Sequence, residues 1–315
     1  MSLFAVPVLF ITAIAIHILK VLTPNWGKSK GNILGKLFGT LTLLATCTMA
    51  GQIGSEYHKV KYKYVYKQNS QAFDELIENT ILVNVKGHDS KYSRGTGFYI
   101  GIHNNKHIFV TNHHVMSNEE CAESTITYLN SSGTTSKAYC SEVLLSYFKE
   151  NNSDITVFSI EANDLYDFAG KGLGIDWDFE LKPKIELATA GFGLKLRRVG
   201  RRDNQYLLRK FDMKLNFDSD CVTLNDKVYY VTNFNVANSI LIGCDAIGGD
   251  SGSAVIERAS GKVIGLIWGS SAKASISSTD LWNMIGTSAP ELFSNSTRAI
   301  LLKGLKKDFN ALGIH

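Results

Sequence analysis

The sequence has little of several features that would place a chain in a special class. It has only four prolines beside 27 glycines and no internal repeat, which excludes collagen-like and low-complexity chains. No CxxC pair indicates a zinc site, and we predict neither a metal nor another cofactor. The net charge of +4 is too small to favour nucleic acid as a partner. What remains is a globular composition with enough apolar residues for a core.

Two uncharged runs lie near the start of the chain, at 3–19 and 37–53, and each approaches the length of about 17 residues that a membrane-spanning helix needs. The segment between them contains lysines and no acidic residue, and such loops stay in the cytoplasm. This pattern predicts a helical membrane anchor over 1–54 with the rest of the chain outside the cytoplasm. The alternative is a signal peptide that is cleaved near Ala50, which would make the rest a secreted protein.

The rest of the chain has the pattern of a β protein. Short runs of β-branched and aromatic residues alternate with clusters of Gly, Asn, Asp and Ser, which predicts an all-β barrel or sandwich. These runs are 80–85, 95–100, 107–111, 155–160, 185–190, 228–234, 253–257 and 262–268. Helix is expected only over 71–79 and 299–312. We therefore predict a juxtamembrane linker (55–78), one large domain (79–290) and a helical tail (291–315).

The segment GGDSGS, residues 248–253, has the chemistry of a nucleophile loop. A serine hydroxyl attacks only when a base removes its proton, and backbone N–H groups must stabilise the oxyanion that forms. Glycine before the serine lets the backbone turn its amides inward. We therefore predict Ser251 as nucleophile and the N–H groups of Gly249 and Ser251 as the oxyanion hole. Taken alone, the segment could also be an ordinary tight turn.

Two further residues stand where partners of such a serine are expected. His114 follows the predicted strand 107–111, and Asp154 begins the predicted strand 155–160. The chain order His, Asp, Ser is one of the known orders of a catalytic triad. We therefore predict that one of the adjacent histidines, His113 or His114, is the base and that Asp154 orients it.

Six motifs in this order resemble the chymotrypsin/trypsin superfamily of serine proteases, including the bacterial Deg/Htr proteases. They are GTGFYI (95–100), FVTNHHV (109–115), SDITVFSI (153–160), AGFG (190–193), GGDSGSAV (248–255) and GLIWG (265–269). The resemblance implies two Greek-key β-barrels and a serine endopeptidase that hydrolyses protein or peptide substrates through an acyl-enzyme. In the family's histidine motif the base lies three residues after threonine, which implies His114 rather than His113.

The resemblance also suggests a substrate pocket. Asp245 precedes Ser251 by the spacing at which trypsin-like enzymes have the pocket floor, and Trp268 and Gly269 match part of the pocket wall. This implies a preference for Arg or Lys before the scissile bond, unless Asp245 is exposed or already paired. An IVGG-like activation site is missing from the sequence, which argues against activation by cleavage.

Four cysteines lie in the predicted β domain, Cys121, Cys140, Cys221 and Cys244, and they allow three pairings. We favour Cys121 with Cys140 and Cys221 with Cys244, because each bond would close a local loop. Disulfides fit an exported domain. The alternative is four buried, reduced thiols in a cytosolic protein.

Two other functions compete with that of an active, extracytoplasmic endopeptidase. One is a catalytically silent binding module on the same fold. Such modules usually lack a triad member or the oxyanion glycine, whereas His114, Asp154, Ser251 and Gly249 are all present here. The other is an esterase with a GxSxG nucleophile elbow, but the second glycine is missing at the required spacing and the chain order Ser-Asp-His is not followed.

Overall fold

The computed structural model describes residues 70–86, 92–193, 215–244, 246, 248–270 and 296–315. Two α-helices are described in these ranges, α1 (Ser70–Glu78) and α2 (Lys306–Ala311). Short 3₁₀ helices span Cys121–Glu123, Lys149–Asn151, Ala162–Asp164 and Leu302–Leu305. The predicted anchor over 1–54 lies outside the described residues. Within them, no helix is long and apolar enough to span a membrane.

Fourteen strands account for most of the regular structure in the described ranges. They are β1 (Thr80–Lys86), β2 (Tyr92–His103), β3 (Lys106–Thr111), β4 (Ser124–Leu129), β5 (Thr135–Tyr139), β6 (Glu142–Tyr147), β7 (Ile155–Glu161), β8 (Glu186–Gly191), β9 (Asn216–Val222), β10 (Tyr229–Val231), β11 (Val236–Ile242), β12 (Ala254–Glu257), β13 (Val263–Ser270) and β14 (Thr297–Leu301). The prediction of a mostly β chain is confirmed. Each of the eight predicted strands overlaps one of these.

The strands form two seven-stranded sheets whose neighbours pair antiparallel. The first sheet has the order β5-β4-β1-β2-β3-β7-β6, and the second has β10-β11-β14-β13-β12-β8-β9. Because alternate side chains of a strand point to opposite faces, the buried positions of β1 alternate with partly exposed ones. Each sheet packs its buried face into its own apolar core.

Each of the two cores contains one disulfide bond. Cys121 is bonded to Cys140 in the first core, and Cys221 is bonded to Cys244 in the second. This is the pairing that the sequence favoured, and the alternative of four reduced thiols is wrong. Each bond closes a short loop, of 19 and 23 residues in sequence separation, and such a bond stabilises a fold by about 3 kcal/mol.

The helix predicted over 71–79 is confirmed as α1, but the linker assigned to 55–78 is wrong for residues 70–78. Phe73, Leu76 and Ile77 follow helical spacing and are buried, so α1 has one apolar face. Phe73 packs edge-on against Phe217 of β9, with ring centroids 5.0 Å apart. The helix is therefore part of the folded β domain.

The helical tail predicted over 291–315 is wrong for residues 297–301. Thr297–Leu301 form β14, which pairs with β11 on one side and β13 on the other. All five residues are buried, because a strand between two neighbours in a sheet exposes neither edge. Helical structure begins only at Leu302, and Phe309 of α2 packs against Trp177.

Candidate active site

The turn after β3 holds the predicted base. The backbone N–H groups of Val115 and Met116 both donate to the carbonyl oxygen of Asn112 at 3.1 Å, which closes a tight turn around His113 and His114. The Asn112 side chain is fully buried and donates through Nδ2 to the backbone oxygen of Asp154 at 2.7 Å. One asparagine therefore fixes the two segments that carry the histidine and the aspartate.

His114 and Asp154 are in direct contact through two hydrogen bonds. The imidazole Nδ1 of His114 lies 2.6 Å from Oδ2 of Asp154, and the backbone N–H of His114 donates to Oδ1 at 3.0 Å. The Asp154 side chain is 5% exposed, whereas that of His114 is 39% exposed. A buried carboxylate bonded to Nδ1 fixes the orientation and tautomer of the ring and leaves Nε2 available as a base.

His113 has different partners. Its ring stacks on Phe148, with centroids 4.5 Å apart, and its Nδ1 lies 2.7 Å from the hydroxyl oxygen of Ser146. That hydroxyl is in turn 3.1 Å from Oγ1 of Thr156. His113 therefore packs beside the turn, and its ring nitrogen bonds Ser146 rather than Asp154.

The loop that carries Ser251 contains two glycines with positive φ. Gly249 has φ +98° and Gly252 has φ +88°, in the region that residues with a Cβ rarely adopt. The Ser253 N–H donates to the Asp250 carbonyl at 3.0 Å, and the Gly252 N–H donates to Ile267 of β13 at 2.7 Å. Ser251 itself is partly exposed. The loop is thus tightly turned, anchored on β13, and leaves the serine accessible.

A second set of hydrogen bonds joins this loop to Thr96 of β2. The Thr96 N–H donates to the Ser251 carbonyl at 2.8 Å, and the Thr96 hydroxyl donates to the Gly249 carbonyl at 2.8 Å. The same hydroxyl oxygen accepts the Phe192 N–H at 2.9 Å. The next amide, that of Gly193, donates to Oδ1 of the buried Asp250 at 2.7 Å. The predicted AGFG turn therefore also contacts the nucleophile loop.

Of the predicted pocket residues, Trp268 and Gly269 are described and Asp245 lies outside the described residues. Trp268 is buried, and its indole Nε1 donates to the Ser239 hydroxyl at 3.1 Å. The guanidinium carbon of Arg298 lies 5.0 Å from the Trp268 ring centre. A Cβ on Gly269 would lie 3.6 Å from Nε of Arg298, so this buried cation borders the Trp268–Gly269 segment.

Thr96 and Asn112 are the two residues that the sequence analysis did not single out. Both lie inside motifs that carried the resemblance, GTGFYI and FVTNHHV. For Asn112, the available signal was a polar residue directly after a strand, whereas Thr96 lies inside β2 and gave no such signal. The bonding partners of both residues are distant in the chain, however, and the sequence alone does not identify them.

Among the described residues, Asp218, Cys221 and Cys244 bring potential metal-ligand atoms within 4.8 Å of one another. The two cysteines are joined in a disulfide, so neither can offer the thiolate that binds zinc. We assign no metal site to this group.

Comparisons with a family model and with solved structures show what the chain is similar to. The family model of the trypsin-like peptidase domain matches residues 95–266, more than half of the chain. A solved HL collagenase is similar over 76% of this chain and 95% of its own, with 12% identity and a TM-score of 0.50.

Two further solved structures are bacterial-type proteases. An HtrA-type protease, AlgW, solved with a tripeptide, is 15% identical over 78% of this chain and 64% of its own, with a TM-score of 0.47. A serine endoprotease from Yersinia pestis is 17% identical over 78% of this chain and 66% of its own, with a TM-score of 0.43. The chain thus spans less than two thirds of the length of each. A search of curated proteins finds no match. On the family match, the chain belongs to the trypsin-like peptidase domain family.

Proposed function

We propose that this protein is an active serine endopeptidase with His114, Asp154 and Ser251 as its catalytic triad. The observation that carries the proposal is the pair of hydrogen bonds between His114 and Asp154, at 2.6 and 3.0 Å, in a chain whose GDSG loop has the tight turn that a nucleophile requires. We also infer that each sheet closes into a Greek-key barrel of the chymotrypsin type, as the family membership suggests.

The chemistry follows from the roles of the three side chains. With Nδ1 of His114 bonded to Asp154, Nε2 accepts the Ser251 proton as the hydroxyl oxygen attacks the substrate carbonyl. The N–H groups of Gly249 and Ser251 stabilise the oxyanion, and the imidazolium then protonates the leaving amine. Water, activated by the same histidine, hydrolyses the acyl-enzyme. The buried Asp154 stabilises the positive ring in both halves of the reaction.

A cleavage assay on the full-length chain tests the proposal. The purified protein, in detergent, is incubated with an unfolded protein such as reduced casein, and the products are sequenced by mass spectrometry. We expect internal cleavage by the wild type and none by Ser251→Ala, whose folding is checked by its melting temperature. A wild type that binds casein but never cleaves it would support the silent binding module instead.

We further propose that residues 1–54 anchor the protein in a membrane, with the peptidase domain outside the cytoplasm. The lysine-rich segment between the two apolar runs supports this orientation, and the two disulfide bonds fit an oxidising compartment. A reporter active only outside the cytoplasm should work when fused after residue 60, and a cytoplasmic reporter should work near residue 30. Activity of a cytoplasmic reporter at residue 60 would contradict both anchor and export.

The preference for Arg or Lys through Asp245 is kept as a proposal. Arg298 borders the Trp268–Gly269 segment and would repel a cationic substrate side chain unless Asp245 offsets its charge. Peptides that differ only in Arg, Phe or Ala before the scissile bond should therefore be compared in the wild type and in Asp245→Ser. If Asp245→Ser still prefers Arg, or if the wild type does not prefer Arg, then Asp245 does not determine specificity. Neither result bears on the proposed triad.

A further inference from the structure

The hydrogen bonds of Thr96 connect the two sheets at the nucleophile loop. Thr96 lies in β2 of the first sheet and is completely buried, yet its N–H and hydroxyl both donate to the loop of the second sheet. Its acceptors are the carbonyl oxygens of Ser251 and Gly249, which are the two residues whose N–H groups we assign to the oxyanion hole. We propose that Thr96 is a positioning residue that sets the direction of these two N–H groups.

The argument rests on how carbonyl and amide directions are linked. The peptide unit is planar, so fixing the carbonyl of Gly249 fixes the plane that joins it to Asp250, and fixing the carbonyl of Ser251 fixes the plane that follows the serine. The plane that carries the Ser251 N–H then lies between these two fixed planes, and the plane that carries the Gly249 N–H adjoins the first of them. Gly249, with φ +98°, would otherwise have the freedom of a glycine to rotate its plane.

The surroundings of Thr96 hold it in place for this task. Its hydroxyl oxygen accepts the Phe192 N–H at 2.9 Å, which directs the hydroxyl proton to Gly249. Its own carbonyl accepts the Thr111 hydroxyl at 2.7 Å and lies so close to Gly252 that a Cβ there would be 1.9 Å away. Thr111 ends the strand that leads to His114. The same residue thus joins the histidine strand and the nucleophile loop.

This inference rests on the proposed peptidase function, and it predicts a specific kinetic pattern. Thr96→Val keeps the shape of the side chain and removes the hydroxyl, whereas Thr96→Ser keeps the hydroxyl. We expect Thr96→Val to lower kcat about tenfold or more with little change in KM, because the hydrogen bonds to the oxyanion form only in the transition state. Thr96→Ser should restore most of kcat.

Thr80→Val is the matched control. Thr80 is also buried, and its hydroxyl donates to a backbone carbonyl, that of Leu76 at 2.6 Å. Thr80 begins β1, so this bond ties β1 to α1 and not to the nucleophile loop. Thr80→Val should lower the melting temperature about as much as Thr96→Val does and leave kcat unchanged. A kcat loss of equal size in both variants would mean that Thr96 has a structural role only.

A binding measurement separates positioning from folding and from the failure of the proposed function. A peptide boronic acid forms a tetrahedral adduct on the serine with an oxygen in the oxyanion hole, whereas the matching peptide amide does not. Thr96→Val should weaken the boronic acid at least tenfold and leave the amide unchanged, and the same comparison with Thr96→Ala covers the case in which the valine does not fold. Unchanged boronic acid affinity in a folded variant overturns the role of Thr96 alone. A wild type that binds no boronic acid and cleaves no peptide overturns the peptidase function, and with it this inference.

Discussion

The two sheets hold their parts of the site in different ways. On the first sheet, Asn112 and His114 both bond Asp154, so the proposed base and its carboxylate are held together by segments of one sheet. In the second sheet, the Ser251 loop is anchored on β13 of its own sheet but also on Thr96 of the other. The comparison teaches that the proposed base is held within one sheet by a residue 40 positions away, while the loop of the proposed nucleophile also depends on a residue of the other sheet 153 positions from Gly249.

The largest expected effect distinguishes the two neighbouring histidines of the first sheet. His114→Ala should lower kcat by about 10⁴-fold or more, since nucleophile and base act as a unit. His113→Ala, the matched control, should lower it far less, because that ring stacks on Phe148 rather than bonding Asp154. Peptide cleavage rates of the two variants check this. A larger loss of activity in His113→Ala than in His114→Ala would assign the base to His113.

The next effect concerns the close approach of the nucleophile loop to the first sheet. A Cβ on Gly252 would lie 1.9 Å from the Thr96 carbonyl oxygen, so Gly252→Ala must push the two apart. We expect at least a hundredfold loss of activity and a fall of about 2–3 kcal/mol in the free energy of unfolding, from strain and overpacking.

Gly133→Ala is the control for that substitution. Gly133 also has a positive φ, +78°, but nothing lies within 4 Å of a Cβ placed there. Gly133→Ala should therefore lower the free energy of unfolding by about 1 kcal/mol, because of backbone strain alone, and should leave activity unchanged. Urea unfolding and peptide cleavage measure both. Equal losses of activity in the two variants would show that contact with Thr96 is unimportant.

The disulfide bonds sharpen the comparison further, because each sheet has one. Replacing either pair by alanine should lower the free energy of unfolding by about 3 kcal/mol. Activity should suffer more from loss of Cys221–Cys244, since the Cys244 carbonyl accepts the Thr297 hydroxyl at 2.5 Å and the chain then enters the segment that leads to Ser251. Peptide cleavage below each variant's unfolding range tests this. Greater sensitivity to Cys121–Cys140 would contradict it.

The smallest expected effect is a pH dependence of stability in the first sheet. His107 lies in β3 with its Nδ1 at 2.8 Å from the Tyr99 hydroxyl, and burial lowers the pKa of His107 while it raises the pKa of Tyr99 to about 12. The unfolded chain therefore binds a proton at His107 more readily than the fold does.

It follows that the free energy of unfolding falls as pH drops below about 6.5, the ordinary histidine pKa, until the folded protein also becomes protonated. His107→Gln should reduce this loss, measured as the difference between the free energies of unfolding in urea at pH 7 and pH 5. An identical pH dependence in wild type and variant would contradict the claim that His107 contributes to the loss of stability at low pH.

Much of the fold and the contact between His114 and Asp154 could be predicted from the sequence, and the errors have physical causes. The strands around the motifs were found because their apolar runs are continuous, as in β3 and β13. Strands such as β5, TSKAY, were missed because an edge strand with polar residues has no apolar period to reveal it. The TRAIL segment of β14 has helix-forming residues, and its two neighbours in the sheet outweigh that preference.

The site shows the same division. His114, Asp154 and Ser251 were named because catalysis demands particular residue types at particular strand ends. The disulfide pairing was found by chain proximity. Thr96 could not be recognised in this way, because a threonine in a strand is ordinary until its hydroxyl is seen on a carbonyl 153 residues away in the chain.

The most direct test of the account is to react the full-length protein with a fluorophosphonate and map the modified residue by mass spectrometry. The account predicts one adduct, on the peptide that contains Ser251, formed by the wild type and by His113→Ala and almost undetectable in His114→Ala. Folding of each variant is checked by its melting temperature. A folded wild type that forms no adduct, or forms it on another serine, would contradict the claim that Ser251 is a nucleophile activated by His114.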